Sequence, residues 1–226
     1  MKILLISDTH AQHKGLTKKK WLPEADMIIC SGDISSMGRV QEVQEFMEWY
    51  GNLDQYKYKI MICGNHDFLF ERQPDIAQGL VPDNVHYLES SGVEIEGIKF
   101  YGEPRQPWFH SWAFNVNRGD LKQYWDKVPE DTDVLITHGP PKGYEYLGMT
   151  LEGDEVGDEE LTTRIEELKN LRLNVCGHIH EGNGIFINTN GTTIINASVL
   201  DRHYNLVNKP YLIEIDENKK ITILSK

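Results

Sequence analysis

Five short apolar runs in this sequence each stop at a cluster of glycine, aspartate, asparagine or histidine, and that repeated ending constrains the fold most. KILLIS (2–7) stops at Asp8, DMIIC (26–30) leads into Gly32-Asp33, and YKIMIC (58–63) into Gly64-Asn65-His66-Asp67. DVLIT (133–137) stops at His138-Gly139, and LNVC (173–176) at Gly177-His178. Short, continuous, β-branched-rich runs of this kind read as strands buried on both faces.

Helical patterns separate several of the runs. Residues 38–50 place Val40, Val43, Phe46, Met47 and Tyr50 at helical spacing, with Ser35 or Ser36 as the cap. Residues 158–171 place Leu161, Ile165, Leu168 and Leu171 on one face, with Asp158, Glu159 and Glu160 where a helix N-terminus favours negative charge. Antiparallel hairpins are predicted over 92–102 around Glu96-Gly97, 184–197 around Asn190-Gly191 and 211–224 around Glu217-Asn218. The expected class is α/β: two mixed β-sheets packed face to face with flanking helices, a four-layer αββα sandwich. Residues 103–119, aromatic and without periodicity, read as an ordered loop over one end of the sheet.

A chain of 226 residues is expected to form one domain. Its formal charge of −12 repels nucleic-acid backbones, so no long nucleic acid is expected as a partner. A small anion is still admissible, because bound cations can dominate the field inside a site. No apolar run approaches the roughly 18 residues of a membrane span, and Ile3–Ile6 is too short for a signal h-region. Cys30, Cys63 and Cys176 are an odd set. They suggest a reducing, cytoplasmic setting, and each reads as a small buried residue at the end of an apolar run.

The run endings carry the chemistry. Residues two apart in an extended chain face the same way, so Asp8 and His10 can reach one metal together. His178 and His180 repeat that geometry. With Asp33, Asn65 and His138 they make a set of nitrogen and oxygen donors only, which suits Mn²⁺, Fe or Zn²⁺. Seven ligands are too many for one tetrahedral site and fit two divalent or trivalent transition-metal ions sharing a carboxylate. The neighbouring glycines let the backbone turn tightly there.

The series Asp-x-His, Gly-Asp, Gly-Asn-His-Asp, His, Gly-His-x-His, over residues 8 to 180, resembles the calcineurin-like metallophosphoesterase superfamily. Pro107-Trp108-Phe109, His138-Gly139-Pro140-Pro141 and Gly177-His178-Ile179-His180-Glu181-Gly182 further resemble its metallophosphoesterase-domain-containing branch, grouped with class III cyclic-nucleotide phosphodiesterases. The resemblance implies a single metallophosphoesterase domain over 1–226. It also implies that Asp8, His10 and His180 hold the first metal, that Asp33 bridges, and that Asn65, His138 and His178 complete the second. His66 would contact the phosphate and assist the leaving oxygen, oriented by Asp67, while a metal-bridging hydroxide attacks phosphorus.

The expected activity is hydrolysis of a small phosphodiester, with cyclic nucleotides among the candidates. The alternatives are a phosphomonoesterase acting on a small metabolite or phosphoprotein, and a non-catalytic metal-binding scaffold. Arg105, Trp108, His110 and Trp112 are candidate substrate contacts, since Arg grips phosphate bidentately and Trp stacks a base. The competing reading makes Trp108, Phe109, Trp112 and Phe114 the loop's own core. Asn196 and Asn117 are candidate supports of the ligands, and His13 a candidate at the site mouth. Nothing in the sequence sets the oligomeric state or names an obligate partner.

Overall fold

All five apolar runs form strands in the computed structural model, which describes residues 1–225. In the first sheet β1 (Lys2–Ile6), β2 (Met27–Ser31), β3 (Tyr58–Ile62) and the short β4 (His86–Tyr87) run parallel. The antiparallel pair β13 (Tyr211–Ile215) and β14 (Ile221–Ser225) extends this sheet beyond β1. The second sheet runs in the order β11 (Gly184–Ile187), β12 (Thr193–Asn196), β10 (Leu173–Cys176), β9 (Val134–Thr137), β6 (Ile98–Glu103), β5 (Ser91–Ile95). Its four central strands are parallel and its two edges antiparallel. The sheets meet at one end, where Ser7, just past β1, pairs with Ser198, just past β12.

Period-two alternation sorts the side chains into layers. Ile3 and Leu5 of β1 pack with Val134, Ile136, Leu173, Val175 and Ile195 between the sheets. Leu4 and Ile6 point the other way, onto Val43, Phe46, Met47 and Tyr50 of α2 (Val40–Gly51). On the outer face of the second sheet, Tyr101 and Leu135 meet Leu121 and Trp125 of α5 (Arg118–Trp125) and Leu161 and Ile165 of α6 (Glu159–Glu167). The result is the expected helix–sheet–sheet–helix stack. Each fully buried aliphatic side chain in it contributes about 1.5–3 kcal/mol.

The predicted hairpins turn where expected. Glu96 and Gly97 both take positive φ, 51° and 76°, as a tight β5–β6 turn requires. Other details depart from the sequence reading. The α2 helix is capped by its own Glu42, whose carboxylate accepts from the Met37 and Arg39 amides at 3.0 and 3.2 Å. Neither Ser35 nor Ser36 is the cap, because both are engaged elsewhere. Val40, placed on the apolar stripe by its spacing, is 44% exposed. The second helix stops at Glu167, short of 171. Asp158 precedes it as the cap, accepting from the Glu160 amide at 3.0 Å, and Glu159 and Glu160 occupy the first turn as expected.

Residues 103–119 are more than a loop. They begin in β6, contain the parallel two-residue strands β7 (Gln106–Pro107) and β8 (Asn115–Val116), and end in α5. Cys30, Cys63 and Cys176 are buried and free. Among the described residues no helix is long and apolar enough to cross a membrane.

Candidate metal centre

The five motifs converge because all follow C-terminal ends of parallel strands, three in one sheet and two in the other. Backbone bonds lace them together. Asp8 N donates to Gly32 O and His10 N to Asp33 O, both at 3.0 Å, and Gly177 N donates to His138 O at 2.8 Å. The turns are tight: Asp8, His10, Asp33 and His178 have φ of 55°, 39°, 51° and 68°. Non-glycine residues seldom adopt this left-handed region, and such strain concentrates at functional sites. Gly177 is needed for space, since a Cβ there would overlap the Asp8 carboxylate and the Ser7 hydroxyl.

Three groups of three donors form, each within 4.8 Å: Asp8, His10 and His180; Asp33, His138 and His178; and, between them, His10, Asp33 and His66. Asp33 joins them. Its Oδ2 lies 3.5 Å from His10 Nε2 on one side and 3.4 Å from His138 Nε2 on the other. Asn65 Oδ1 approaches His138 Nε2 at 2.9 Å, so all seven sequence-predicted ligands meet in one place.

The surroundings fit metal ions. The Nδ1 atoms of His138 and His180 face the carbonyls of Ser31 and Asp201 at 3.0 and 2.9 Å. Donation to those carbonyls turns each Nε2 toward the carboxylates, the usual orientation of a metal-ligating histidine; in the metal-free protein that nitrogen carries the proton a metal would displace. His10 Nε2 and His180 Nε2 face each other at 3.2 Å, so both ligand nitrogens point at the same place. The carboxylates are supported too. Asp8 accepts from the His178 amide at 3.0 and 3.1 Å and from Ser198 Oγ at 2.6 Å. Asn196 Oδ1 accepts from Ser198, and its Nδ2 donates to the carbonyls of Leu147, Gly177 and Ile179.

The electrostatics follow from this crowding. Burial opposes ionising Asp8 and Asp33, yet His180 beside Asp8, and His138 and His66 beside Asp33, hold both carboxyls well below the usual range. Burial also opposes charging His138 and His180, but Asp33 and Asp8 outweigh it and push both rings up to about 9. For His10 and His178 burial prevails, and they fall to about 4 and about 3.

His66 lies beside the donors, its ring edge-on to His10 at 4.5 Å between centroids. Asp67 does not orient it, a correction to the sequence reading. The His66 Nδ1 faces the Ser36 carbonyl at 2.7 Å. The Asp67 carboxylate instead accepts from the amides of Ile34 (3.3 Å), Ser35 (3.0 Å) and Gly64 (2.8 Å) and from the Ser35 hydroxyl (2.7 Å). It ties the Asp33 turn to the Asn65 turn. Burial and the Asp33 charge push its pKa up to about 6.

Expectations for five further residues change. Arg105 does not face the cavity. It is paired with Glu103 at 2.7 Å and Glu89 at 3.0 Å, over the Tyr124 ring. Trp108 and His110 are exposed and do not line the cavity either. From that loop, Phe109 and Trp112 line it. Trp112 packs tilted against His66, with centroids 4.0 Å apart and the ring planes at 32°. Asn117 precedes α5, far in role from the ligands, and His13 packs against Phe46 and Trp49. Sequence reasoning missed Ser198, Arg202 and Tyr204. Tyr204 packs edge-on to His10 at 4.8 Å. The only cue to these residues was a polar stretch following β12.

The family profile described as Calcineurin-like phosphoesterase matches residues 1–182. Metallophosphoesterase domain-containing protein 1 of Homo sapiens is 36% identical over 239 residues, covering 95% of this chain and 71% of that protein. A solved dimetal phosphatase from Danio rerio superposes with a TM-score of 0.53 at 12% identity, over 100% of this chain and 98% of that one. A larger Staphylococcus aureus chain superposes with a TM-score of 0.56 at 15% identity, and this chain spans 52% of its length. At these identities the two solved structures share the fold.

Proposed function

Because the chain belongs to the calcineurin-like phosphoesterase family, we propose that it is a two-metal phosphodiesterase acting on a small diester, with cyclic nucleotides the first class to test. The metal-dependent phosphoesterase activity is the family's. The diester preference rests on one observation: the joined donor groups floor a cavity walled by Phe109, Trp112 and Tyr204, with Arg202 its single Lys or Arg side chain. A diester carries one negative charge and two organic substituents, so it suits apolar walls on either side of the phosphoryl group. A dianionic monoester calls for more fixed cations.

In this reading Asp8, His10 and His180 would hold one ion and Asn65, His138 and His178 the other, with Asp33 between them. Mn²⁺, Fe or Zn²⁺ all suit these donors. Two such ions supply charge neutralisation at the phosphoryl oxygens and a more acidic water. His66 keeps Nδ1–H on the Ser36 carbonyl and, as general acid, its imidazolium form would give the Nε2 proton to the departing oxygen, leaving the neutral ring. Trp112 covers one face of that ring and limits its rotation. A cytoplasmic setting belongs to the same reading and rests on the three buried, unpaired thiols.

The test is kcat/KM for bis-p-nitrophenyl phosphate against p-nitrophenyl phosphate, on metal-stripped protein reloaded with Mn²⁺. Preference for the diester is expected. Preference for the monoester replaces this reading with a phosphatase, and no turnover of either, with several metals, replaces it with a scaffold.

A further inference from the structure

The metal centre's cavity, about 240 Å³, does not end at the metal donors. His180, Glu181 and Arg202 line it and also line a second cavity of about 350 Å³, whose other walls include Leu151, Asn183, Val207 and Asn208. We infer that Arg202 defines a subsite between these cavities that takes a second, non-reacting anionic group of the substrate, such as a phosphate on one of its ester substituents.

Among the described arginines without a close carboxylate partner, Arg202 is the one that lines the metal centre's cavity. Arg105, Arg118 and Arg164 each have a carboxylate within 2.8 Å. Arg202 faces Glu152 Oε1 at 3.7 Å with both side chains exposed, and such a pair holds little; its Nε also donates to the exposed His203 Nε2 at 3.3 Å, a contact that leaves the guanidinium's other donors available. Glu181, on the same wall, is turned to the Leu151 amide at 3.2 Å.

The backbone presenting Arg202 is fixed by the ligands themselves. Asp201 O accepts from His180 Nδ1 at 2.9 Å. The Asp201 carboxylate holds the His203 and Asn205 amides at 2.9 and 2.8 Å, and Gln12 Nε2 holds Tyr204 O at 2.7 Å. A cation so placed has a task distinct from the reacting phosphoryl group, which the metal donors claim. In a chain of charge −12 anions are repelled in general, so one guanidinium at this rim selects strongly. It matches phosphate or carboxylate bidentately.

The identity of the reacting group rests on the phosphodiesterase reading, whereas the subsite is tested by binding alone. Full-length protein loaded with Mn²⁺ is titrated calorimetrically with thymidine 3′,5′-bisphosphate and thymidine 5′-monophosphate. The bisphosphate should bind about tenfold tighter or more, the worth of a charge-assisted contact. Arg202→Ala should shrink that ratio to about twofold or less, and Arg202→Lys should restore part of it. Equal affinities in the unaltered protein, or an advantage that survives Arg202→Ala, overturn the inference. Hydrolysis of bis-p-nitrophenyl phosphate is followed on the same preparation. Arg202-dependent binding without hydrolysis removes the phosphodiesterase reading and leaves the subsite standing.

Discussion

Ser198→Ala removes one hydroxyl and asks whether the end of β12 tunes a centre whose ligands lie elsewhere. The Ser198 Oγ donates to Asp8 Oδ2 at 2.6 Å, and both residues are fully buried. Asp8 keeps its two contacts with the His178 amide in the variant, so its charge is weakened in support but not orphaned. A hydrogen bond to a charged group contributes about 1.5–3 kcal/mol. At about 1.4 kcal/mol per decade, the ion held by Asp8, His10 and His180 should bind roughly 10–100-fold more weakly, the range found for outer partners of metal ligands. The loss should grow as pH falls, because an Asp8 carboxylate short of one donor protonates more readily. The assay is competition between metal-stripped protein and a chromophoric chelator for Mn²⁺, with turnover measured at saturating metal, where it should return close to the unaltered value. A change below about twofold in a folded variant, or an equal loss at both ions, would refute the assignment of Ser198 to the Asp8 side.

His66→Ala should lose about 10²–10⁴-fold in kcat while keeping both metals, as metal content and turnover together will report. Asp67→Asn should behave differently, lowering thermal stability and metal content, with an effect on kcat additive to that of His66→Ala. Non-additivity would restore Asp67 as the partner of His66. In the metal-free protein His138 and His180 sit at about 9, so each carries a proton at neutral pH that a metal must displace. Metal affinity should therefore rise with pH up to about 9, with proton release visible as buffer-dependent heat; a flat profile would contradict these values. By the same linkage the raised rings stabilise the metal-free fold fully below the ordinary histidine value of 6.5 and lose that contribution as pH rises through about 9, so its Tm should fall across that window. Gly177→Ala should abolish binding at the Asp8 side, measurable as metal per chain, because the added methyl overlaps the carboxylate.

The layers were legible because burial leaves a strong periodic mark. Strands such as Leu173–Cys176 are covered on both faces and so read as unbroken apolar runs. The exposed side of α2 misled at Val40 because spacing alone cannot say how wide the buried stripe is. The short helices α1 (His13–Lys18), α3 (Phe68–Arg72) and α4 (Pro74–Gln78) went unread. Elements of five or six residues hold too few turns to show a helical period, and contacts with neighbours decide their form.

The ligands were legible for a different reason: each sits within two residues of a glycine or of another donor, a short-range pattern. What supports them is long-range and left no such pattern. Ser198 reaches Asp8 across 190 positions and Asp201 reaches His180 across 21. Asp67 misled because neighbours in a turn need not share a direction, and its carboxylate bends back to Gly64 and Ser35. Arg105 carried a usable cue in Glu103 two positions earlier, a partner that removes it from substrate duty. The strain at Asp8, His10, Asp33 and His178 was invisible in the letters. At about 1–3 kcal/mol each, four such residues approach the whole stability of a typical domain, about 5–15 kcal/mol. They persist where the strands behind them, Ile3 to Ile6 and Met27 to Cys30, are fully buried, and where charges drawn this close gain most from binding cations. The strained turns and the densest packing therefore belong together: the core holds the donors in place before any metal arrives.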